Sequence, residues 1–315
     1  MVKLKLGVIA CLHGNLAKAR KFATYLRKNN VDAVALVGDI GTDEKQKQSL
    51  VKIISIFAKL NKKIFVTPGN HEQLRAYYSA LKKFKKNKNI VDCTKNPKIE
   101  FCGQKFVFWP GSGMAHAPGA GFFLMGNKWH AKQLIRKIKL RKEHFFNPVK
   151  FFNFRDLTRH LDKNTVVVTH SPTKFSANNA IDVAVFGRPS RAFSPSKKDR
   201  KLDKTTNMYV FTPQNSIFPL AEAKKFIKHG YPVKILKANV GNNYYRKILK
   251  KYKISKFICG DIHEAGGRAN DWKGKQIKQN KWSKELFYNC AAGKEGRAGI
   301  VEFLNGKARY KVVKV

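Results

Sequence analysis

The residues best suited to chemistry are histidines, acids, an amide and one cysteine, each placed directly after a short apolar segment. They fall in five clusters along the chain: Cys11 and His13, Asp39, Asn70 and His71, His170, and Asp261 and His263. Imidazole nitrogens together with carboxylate and amide oxygens suit Mn, Fe or Zn. A single histidine is more often a satisfied polar residue than a ligand, but five such clusters predict a shared metal site.

The apolar segments that precede these clusters have the composition of buried strands. Within the first 72 residues, strand-like LKLGVIA, AVALVG and KKIFVTP alternate with stretches of helical spacing over 16–29 and about 43–60. Such alternation is typical of βαβ units and a parallel sheet. Because ligands bind at the carboxyl ends of strands in open α/β sheets, we expect all five clusters to meet at that edge of one sheet.

The pattern changes to paired strands near residue 99, and the alternating elements resume after about residue 238. Two segments of different composition lie between these parts, at about 115–162 and 173–237. The second contains the basic loop GRPSRAFSPSKKDRKLDKTTN, in which phenylalanine stands among lysine and arginine. Because there is no internal repeat and no clear linker, we predict a single domain over residues 1–315 with these two insertions.

The chain is strongly basic, with 64 Lys and Arg against 20 Asp and Glu and a formal net charge of +44. A field of this size attracts polyanions, and nucleic acid is the partner that we expect. Aromatic rings among cations, as in the second insertion, are typical of single-strand binding, although a basic loop packed on its own small cluster has the same composition. The alternative explanation for the charge is an organism or compartment in which most proteins are basic.

Taken together, the five clusters resemble the motifs of the calcineurin-like metallophosphoesterases, which run D-x-H, G-D, G-N-H-[DE], H and G-H-x-H. The matching stretches are CLH, GD, GNHE, THSP and GDIHE. The wording THSP, then NVG, then GDIHEAGG is similar to the cyclic-nucleotide phosphodiesterase-like branch. The resemblance covers about residues 1–110, 163–172 and 238–315. It implies an α/β fold, a four-layer α/β/β/α sandwich of mixed sheets.

The resemblance also implies two divalent metal ions, Mn, Fe or Zn, and a ligand role for each polar residue. His13 and His263 would bind the first metal, and Asn70 and His170 would bind the second. Asp39 would bridge both metals, which places it among the catalytic residues.

His71 is the residue to which the resemblance assigns proton transfer instead of metal binding. It would orient the phosphoryl group and protonate the leaving oxygen, a task that suits histidine because its ordinary pKa is near the operating pH. The implied activity is hydrolysis of a phosphodiester or nucleotide-like substrate, with the basic surface steering the anion to the site.

Two residues depart from the family's motifs, one in each half of the metal site. Cys11 stands where the family has an aspartate ligand of the first metal, and Asp261 stands where it has a histidine ligand of the second. Each can still bind metal, because thiolate is a ligand of Zn and Fe and carboxylate of Mn, Fe and Mg. The alternative for Cys11 is a small buried apolar residue, with the first metal weak or absent.

A second function follows from that alternative. With a compromised metal site, the chain would be an impaired phosphoesterase fold that binds nucleic acid, a ribonucleoprotein or a packaged genome through its basic surface. Three residues are weaker candidates for contact with substrate or nucleic acid. His116 lies in the Gly-rich loop after WPGSG, and Arg188 and Arg191 lie in GRPSR. Guanidinium groups pair well with phosphate, although a solvated loop is the more common explanation for such residues.

The spacing of the cysteines and the length of the apolar runs predict the cellular compartment of the protein. The five cysteines are odd in number, widely spaced and without a CxxC pair, which is typical of a reducing compartment and not of a disulfide framework. The first residues lead straight into a strand pattern, and no run approaches the roughly 18 apolar residues of a membrane helix. We therefore expect a cytoplasmic or other reducing intracellular location and no membrane partner; the sequence leaves the oligomeric state open.

Overall fold

The computed structural model describes residues 3–41, 45–112, 121–125, 150–194 and 216–315, together with residues 196, 212 and 214. The chain divides into two compact units, one formed by 1–182 and 241–315 and the other by 183–240. Most of the predicted insertion at 115–162 lies outside the described residues. The predicted insertion at 173–237 overlaps the second unit, while its residues 173–182 belong to the first.

The helices and strands of the described residues alternate over the first third of the chain. The helices are α1 (Leu16–Lys28), α2 (Gln46–Ala58), α3 (Leu74–Lys82), α4 (Phe154–Thr158), α5 (Leu220–Lys228) and α6 (Asn243–Lys251). The strands are β1 (Leu4–Ile9), β2 (Ala33–Val37), β3 (Lys63–Thr67), β4 (Ile90–Asp92), β5 (Lys98–Phe101), β6 (Gln104–Trp109), β7 (Phe122–Met125), β8 (Lys150–Asn153), β9 (Val166–Thr169), β10 (Val183–Pro189), β11 (Phe218–Pro219), β12 (Val233–Asn239), β13 (Lys256–Cys259), β14 (Ala269–Asn270), β15 (Leu286–Asn289), β16 (Arg297–Leu304) and β17 (Lys307–Lys314).

Two six-stranded mixed sheets form the body of the first unit. The first sheet has the order β17-β16-β1-β2-β3-β4. Strands β1 to β4 pair in parallel, β16 is antiparallel to β1, and β17 is antiparallel to β16. The second has the order β14-β15-β13-β9-β6-β5, with four parallel central strands and an antiparallel strand at each edge. The predicted α/β class with mixed sheets is confirmed.

The two sheets pack face to face because successive side chains of a strand point to opposite faces. Ala33, Ala35 and Val37 of β2 join one buried cluster with Phe106 and Phe108 of β6 in the second sheet. The alternate residues of β2 pack instead in a second cluster with apolar residues of α1, α2 and α3. One face of the first sheet is therefore covered by helices and the other by the second sheet.

The outer face of the second sheet is covered by helices as well. The ring of Trp109, at the end of β6, lies 5.3 Å from that of Phe154 in α4 and 5.2 Å from that of Tyr245 in α6, measured between centroids. All three side chains are buried. The layers of the first unit thus run helix, sheet, sheet, helix, as the resemblance implies.

Helix α1 begins directly after the loop that carries the first polar cluster. The side chain of Asn15 accepts a hydrogen bond from the Lys18 backbone N–H at 3.0 Å and so caps the first turn. The predicted helices over 16–29 and about 43–60 are found as α1 and α2 with slightly shorter bounds. The cap ends the polar loop within a few residues of β1, which keeps that loop close to the sheet.

The second unit is a three-stranded antiparallel sheet in the order β11-β10-β12 with α5 packed on it. Phe218, Ala223, Phe226 and Val233 form its small buried cluster. Among the described residues of both units, none of the helices combines the length and the apolar character that crossing a membrane demands.

Candidate metal centre

The five predicted clusters follow, in order, β1, β2 and β3 of the first sheet and β9 and β13 of the second. The prediction that a single sheet carries all five is wrong, because the chain passes to the second sheet after β4. Apolar runs indicate strands but do not show which strands pair. The carboxyl ends of both sheets contribute to one site, so that it is built by the two layers together.

Backbone hydrogen bonds join the loops that follow β1 and β2, and the chain turns sharply at the ends of these strands. The Cys11 N–H donates to the Gly38 carbonyl at 3.0 Å, and the His13 N–H donates to the Asp39 carbonyl at 2.9 Å. Cys11, His13, Asp39 and Asp261 all have a left-handed backbone, with φ of 56°, 44°, 53° and 67°. Few residues with a side chain adopt this conformation, and it turns the chain directly after the strand.

Asp39 lies at the centre of the site. Its Oδ2 is 3.0 Å from His170 Nε2, 3.9 Å from His13 Nε2 and 4.0 Å from His71 Nε2. Its Oδ1 accepts the backbone N–H of His71 at 3.0 Å. Burial opposes ionisation, but the hydrogen-bonded His170 imidazolium and the other two histidines hold the pKa of the Asp39 carboxyl below its usual range. Asp39 is thus a buried carboxylate shared by three imidazoles.

His170 is fully buried and oriented from both sides. Its Nδ1 lies 2.8 Å from the Val37 carbonyl, to which it can only donate, and its Nε2 faces Asp39 and lies 3.9 Å from Asp261 Oδ1. Burial would lower the pKa of His170, but the carboxylates of Asp39 and Asp261 outweigh it and raise that pKa to about 10. In the absence of metal, the two carboxylates thus favour the protonated form of His170.

His13 and His263 behave in the opposite way. Burial lowers the pKa of His13 to about 4 against the attraction of Asp39, and the charges of His71 and Lys294 lower it further. Burial and Lys294 also lower the pKa of His263. The two rings lie 5.8 Å apart between centroids. A neutral imidazole has a nitrogen lone pair free for a cation, so His13 is prepared for ligation at neutral pH.

Cys11 is fully buried next to these groups. Burial raises the pKa of its thiol well above the ordinary value, and the carboxylates of Asp39 and Asp261 raise it further. The thiol is therefore neutral in the absence of a cation. A bound cation reverses this balance, because a coordinating thiol loses its proton outright.

The side chains fit divalent cations. Three groups have one ligand atom from each member within 4.8 Å of the others: Cys11 with His13 and His263, Cys11 with Asp39 and His170, and His13 with Asp39 and His71. Such sets of nitrogen, oxygen and sulfur suit Zn, Fe and Mn. The carbonyl of Val37 fixes the tautomer of His170, as outer-shell partners do for ligating histidines.

Glu72 is a residue whose role the sequence does not reveal, although it belongs to GNHE. Its side chain is fully buried and accepts four backbone N–H groups. Oε2 accepts from Asp39 at 3.0 Å and Gly69 at 2.6 Å, while Oε1 accepts from Ile40 at 2.6 Å and Gly41 at 3.4 Å. Glu72 thus ties the loop after β2 to the loop after β3.

A charged group beside His263 is a further feature that sequence reasoning missed. Glu295 Oε1 lies 3.4 Å from His263 Nδ1, and its other oxygen pairs with Arg297. Arg297 also donates to the His263 carbonyl at 3.2 Å, and the Lys294 N–H donates to the Cys11 carbonyl at 2.8 Å. KEGR at 294–297 follows β15, contains no histidine and is not one of the five matched motifs, so only the fold shows that it lies beside the site.

The remaining predicted residues differ in what the structure says of them. Asn70 is buried in the loop after β3, next to His71. Arg188 and Arg191 are exposed residues of the second unit, and their role in binding stays a prediction. His116 lies outside the described residues.

Gly69→Ala is expected to disrupt the site without removing any ligand. An added Cβ would overlap Asp39 Oδ1 and lie 2.7 Å from His170 Cδ2. Since displacement of a reacting group by about 1 Å can cost on the order of 10²-fold in rate, we expect a loss of that size together with weaker metal retention. Metal content after dialysis and steady-state rates measure both.

The matched control is Gly103→Ala, where a Cβ meets nothing within 4 Å although φ is +71°. It should cost roughly 1–2 kcal/mol of stability through the backbone and leave metal content unchanged. Equal metal content in both variants would contradict the steric argument for Gly69.

Comparison with known proteins places these features in context. A family model described as calcineurin-like phosphoesterase matches residues 4–265. The fold is similar to that of a protein from Thermus thermophilus, with a TM-score of 0.52 and 9% identity over 98% of this chain and 99% of that one. A dimetal phosphatase from Danio rerio matches with a TM-score of 0.48 and 12% identity over 99% and 98%. No curated protein matches the sequence.

Proposed function

Because the chain belongs to the calcineurin-like phosphoesterase family, we propose that it is a metal-dependent phosphoesterase acting on a phosphodiester or nucleotide-like substrate. The observation that carries the proposal is the position of Asp39, whose Oδ2 lies within 4.0 Å of His13, His71 and His170. A carboxylate shared by imidazoles from three strand ends is suited to bridging two cations beside a phosphoryl group.

Seven residues are proposed to hold two divalent cations: Cys11, His13 and His263 the first, Asn70, His170 and Asp261 the second, and Asp39 both. When bound, the cations supply Lewis acidity and make water nucleophilic near neutral pH. His13 would offer its lone pair without losing a proton, whereas His170 would have to lose its Nε2 proton to solvent before that nitrogen could hold a cation. The metal is Mn, Fe or Zn, and the soft sulfur of Cys11 favours Zn or Fe in the first position.

His71 is the proposed general acid. Its side chain is 34% exposed, more than those of the other two histidines around Asp39, so its ring can reach a bound substrate. The Asp39 carboxylate accepts its backbone N–H and lies 4.0 Å from Nε2, which orients the ring. We infer that Nε2 donates a proton to the leaving oxygen while Lys294 attracts the phosphate anion.

Direct measurement of metal and turnover tests the proposal. The full chain is stripped with a chelator, reloaded separately with Mn, Fe or Zn, and assayed on bis-p-nitrophenyl phosphate. We expect the reloaded protein to hydrolyse the diester and the stripped protein to fall to background. Equal background rates in all samples, with bound metal confirmed, would remove the enzymatic function while leaving the metal site in place.

Cys11→Ser is expected to weaken metal binding at the first position, because a neutral hydroxyl replaces a thiolate ligand. Loss of an outer-shell partner alone costs about 10–100-fold in affinity, so a loss of at least that size is expected for a ligand. Substitution with Co(II) gives a readout independent of activity: sulfur-to-cobalt charge transfer should appear in the near-ultraviolet for the natural protein and be absent from the variant.

The exposed Cys102 supplies the control for this experiment. Cys102→Ser should keep both the affinity and the absorption band. If Cys11→Ser also keeps the band, Cys11 is only a buried apolar residue and the first cation is held by imidazoles and Asp39.

A further inference from the structure

A groove of about 900 Å³ lies on the first unit, along the edge strand β4. Its walls are formed by the end of α3, the turn that follows it, β4 with the residues after it, and the first residue of β8. None of the proposed metal ligands lines it. The volume is within the range of established ligand pockets, which makes the groove large enough for part of a polymer.

The charge of the groove is its most distinctive property. Five lysines line it: Lys82, Lys85, Lys88, Lys95 and Lys150. Asp92, the one acid among the described residues of the lining, is engaged by Thr94 at 2.7 Å and by the hydroxyl of Tyr77 at 3.2 Å. Asp92 therefore does not balance the lysines, four of which (Lys82, Lys85, Lys88 and Lys95) are exposed. Their natural counterpart is a polyanion.

Aromatic rings stand among these lysines. Tyr78 and Phe84 line the groove and are only partly buried. The Tyr78 ring has the ammonium groups of Lys95 and Lys150 at 5.7 Å and 5.3 Å from its centroid, and Lys150 also donates to its hydroxyl at 2.9 Å. Both rings pack on one side against the buried cluster beneath α3, and their remaining surface lies on the groove wall among the lysines.

This combination narrows the class of ligand. Single-stranded nucleic acid is bound by cations that follow its phosphates and by aromatic side chains on which its bases stack. A duplex keeps its bases stacked inside, out of reach of the rings. A membrane surface is too flat to enter a groove. Inorganic polyphosphate offers the charge but no ring to stack.

We propose that the groove along β4, lined by Lys82, Lys85, Lys88, Lys95 and Lys150 with Tyr78 and Phe84, is a binding site for single-stranded nucleic acid. The site is separate from the metal centre, and it holds whether or not the protein hydrolyses the strand. It differs from general attraction by the +44 charge in being local, so that removal of lysines here and elsewhere has unequal effects.

The test compares two triple variants of equal charge. Lys85→Gln, Lys88→Gln and Lys95→Gln change the groove, while Lys307→Gln, Lys311→Gln and Lys314→Gln change exposed residues of β17 at the opposite edge of the same sheet. Five strand spacings of about 4.8 Å separate these edges by roughly 24 Å. Binding of a fluorescein-labelled dT12 strand to the full chain is measured by anisotropy over a range of salt, with a denaturing gel to verify that the strand stays intact.

The groove variant is expected to bind at least about tenfold more weakly and to reduce the slope of log affinity against log salt by about 2, since each phosphate contact contributes about 0.7 for a single strand. The β17 variant should retain most of the affinity. Equal losses in the two variants would overturn the proposal in favour of non-local attraction. Turnover of bis-p-nitrophenyl phosphate should be the same in both variants, which separates this result from that of the metal centre.

A competition experiment separates the contribution of stacked bases to binding from that of the phosphate charges. Unlabelled dT12 should displace the probe at a concentration at least about fivefold lower than polyphosphate of the same number of phosphates, because stacking of one base contributes about 1–3 kcal/mol. Equal displacement would overturn the assignment to nucleic acid and leave a polyphosphate site.

Discussion

His71→Ala is expected to lower kcat by about 10²–10⁴-fold, the usual contribution of general acid catalysis, while metal content stays at the level of the natural protein. The reason is that its ring nitrogen is proposed to protonate the leaving oxygen and not to hold a cation. The loss should be larger for a dinucleotide than for bis-p-nitrophenyl phosphate. The leaving group of a dinucleotide is a sugar alkoxide, which needs the proton, whereas p-nitrophenolate is a weak base and can leave without one.

The geometry allows a competing role, because His71 also lies within 4.8 Å of ligand atoms of His13 and Asp39. If His71 is a ligand, its replacement will lower the metal content, and the two substrates will lose rate equally. His229→Ala, which removes an exposed histidine of the second unit, serves as the control and should alter neither measurement.

Glu72→Gln is expected to destabilise the folded protein by about 3–5 kcal/mol. The two side chains have nearly the same shape, but the amide turns one acceptor into a donor. Two of the four buried N–H groups that Glu72 accepts would then face another donor, and each hydrogen bond to a charged group contributes roughly 1.5–3 kcal/mol. Chemical denaturation of the metal-free protein measures the free energy of unfolding.

The substitution should also loosen the metal centre, since the loops that Glu72 joins carry Asp39 and His71. Metal affinity measured where the variant is fully folded separates this effect from loss of stability. Glu100→Gln, at an exposed position of β5, is the matched change and should stay within about 0.5 kcal/mol of the natural protein. A similar small change at Glu72 would contradict the account of its four hydrogen bonds.

Much of the architecture could be predicted because it depends on local patterns. The strands before the polar clusters are short apolar runs, and α1 and α2 follow from helical spacing between them. The same reasoning predicts the clusters at Cys11, Asp39 and His170 at strand ends, and the parallel pairing of β1 with β2 brings the first two of them together.

What could not be predicted depends on pairing between distant segments. The separation of the clusters over two sheets arises from the order of strands, which apolar runs do not encode. Glu72 ends the GNHE motif, but its hydrogen-bonding role exists only because the N–H groups of two loops converge on it. Glu295 and Arg297 lie at the connection between β15 and β16, about 30 residues after His263, and only the folding of the chain brings them beside it.

The left-handed backbone at the strand ends has a consequence for how the site is maintained. A residue with a side chain pays roughly 1–2 kcal/mol for this conformation, which glycine adopts freely and aspartate tolerates better than cysteine does. At Cys11, where φ is 56°, the backbone conformation alone would therefore favour glycine. Holding a thiol within 4.8 Å of ligand atoms of Asp39 and His170 therefore costs the fold backbone strain that glycine at this position would avoid.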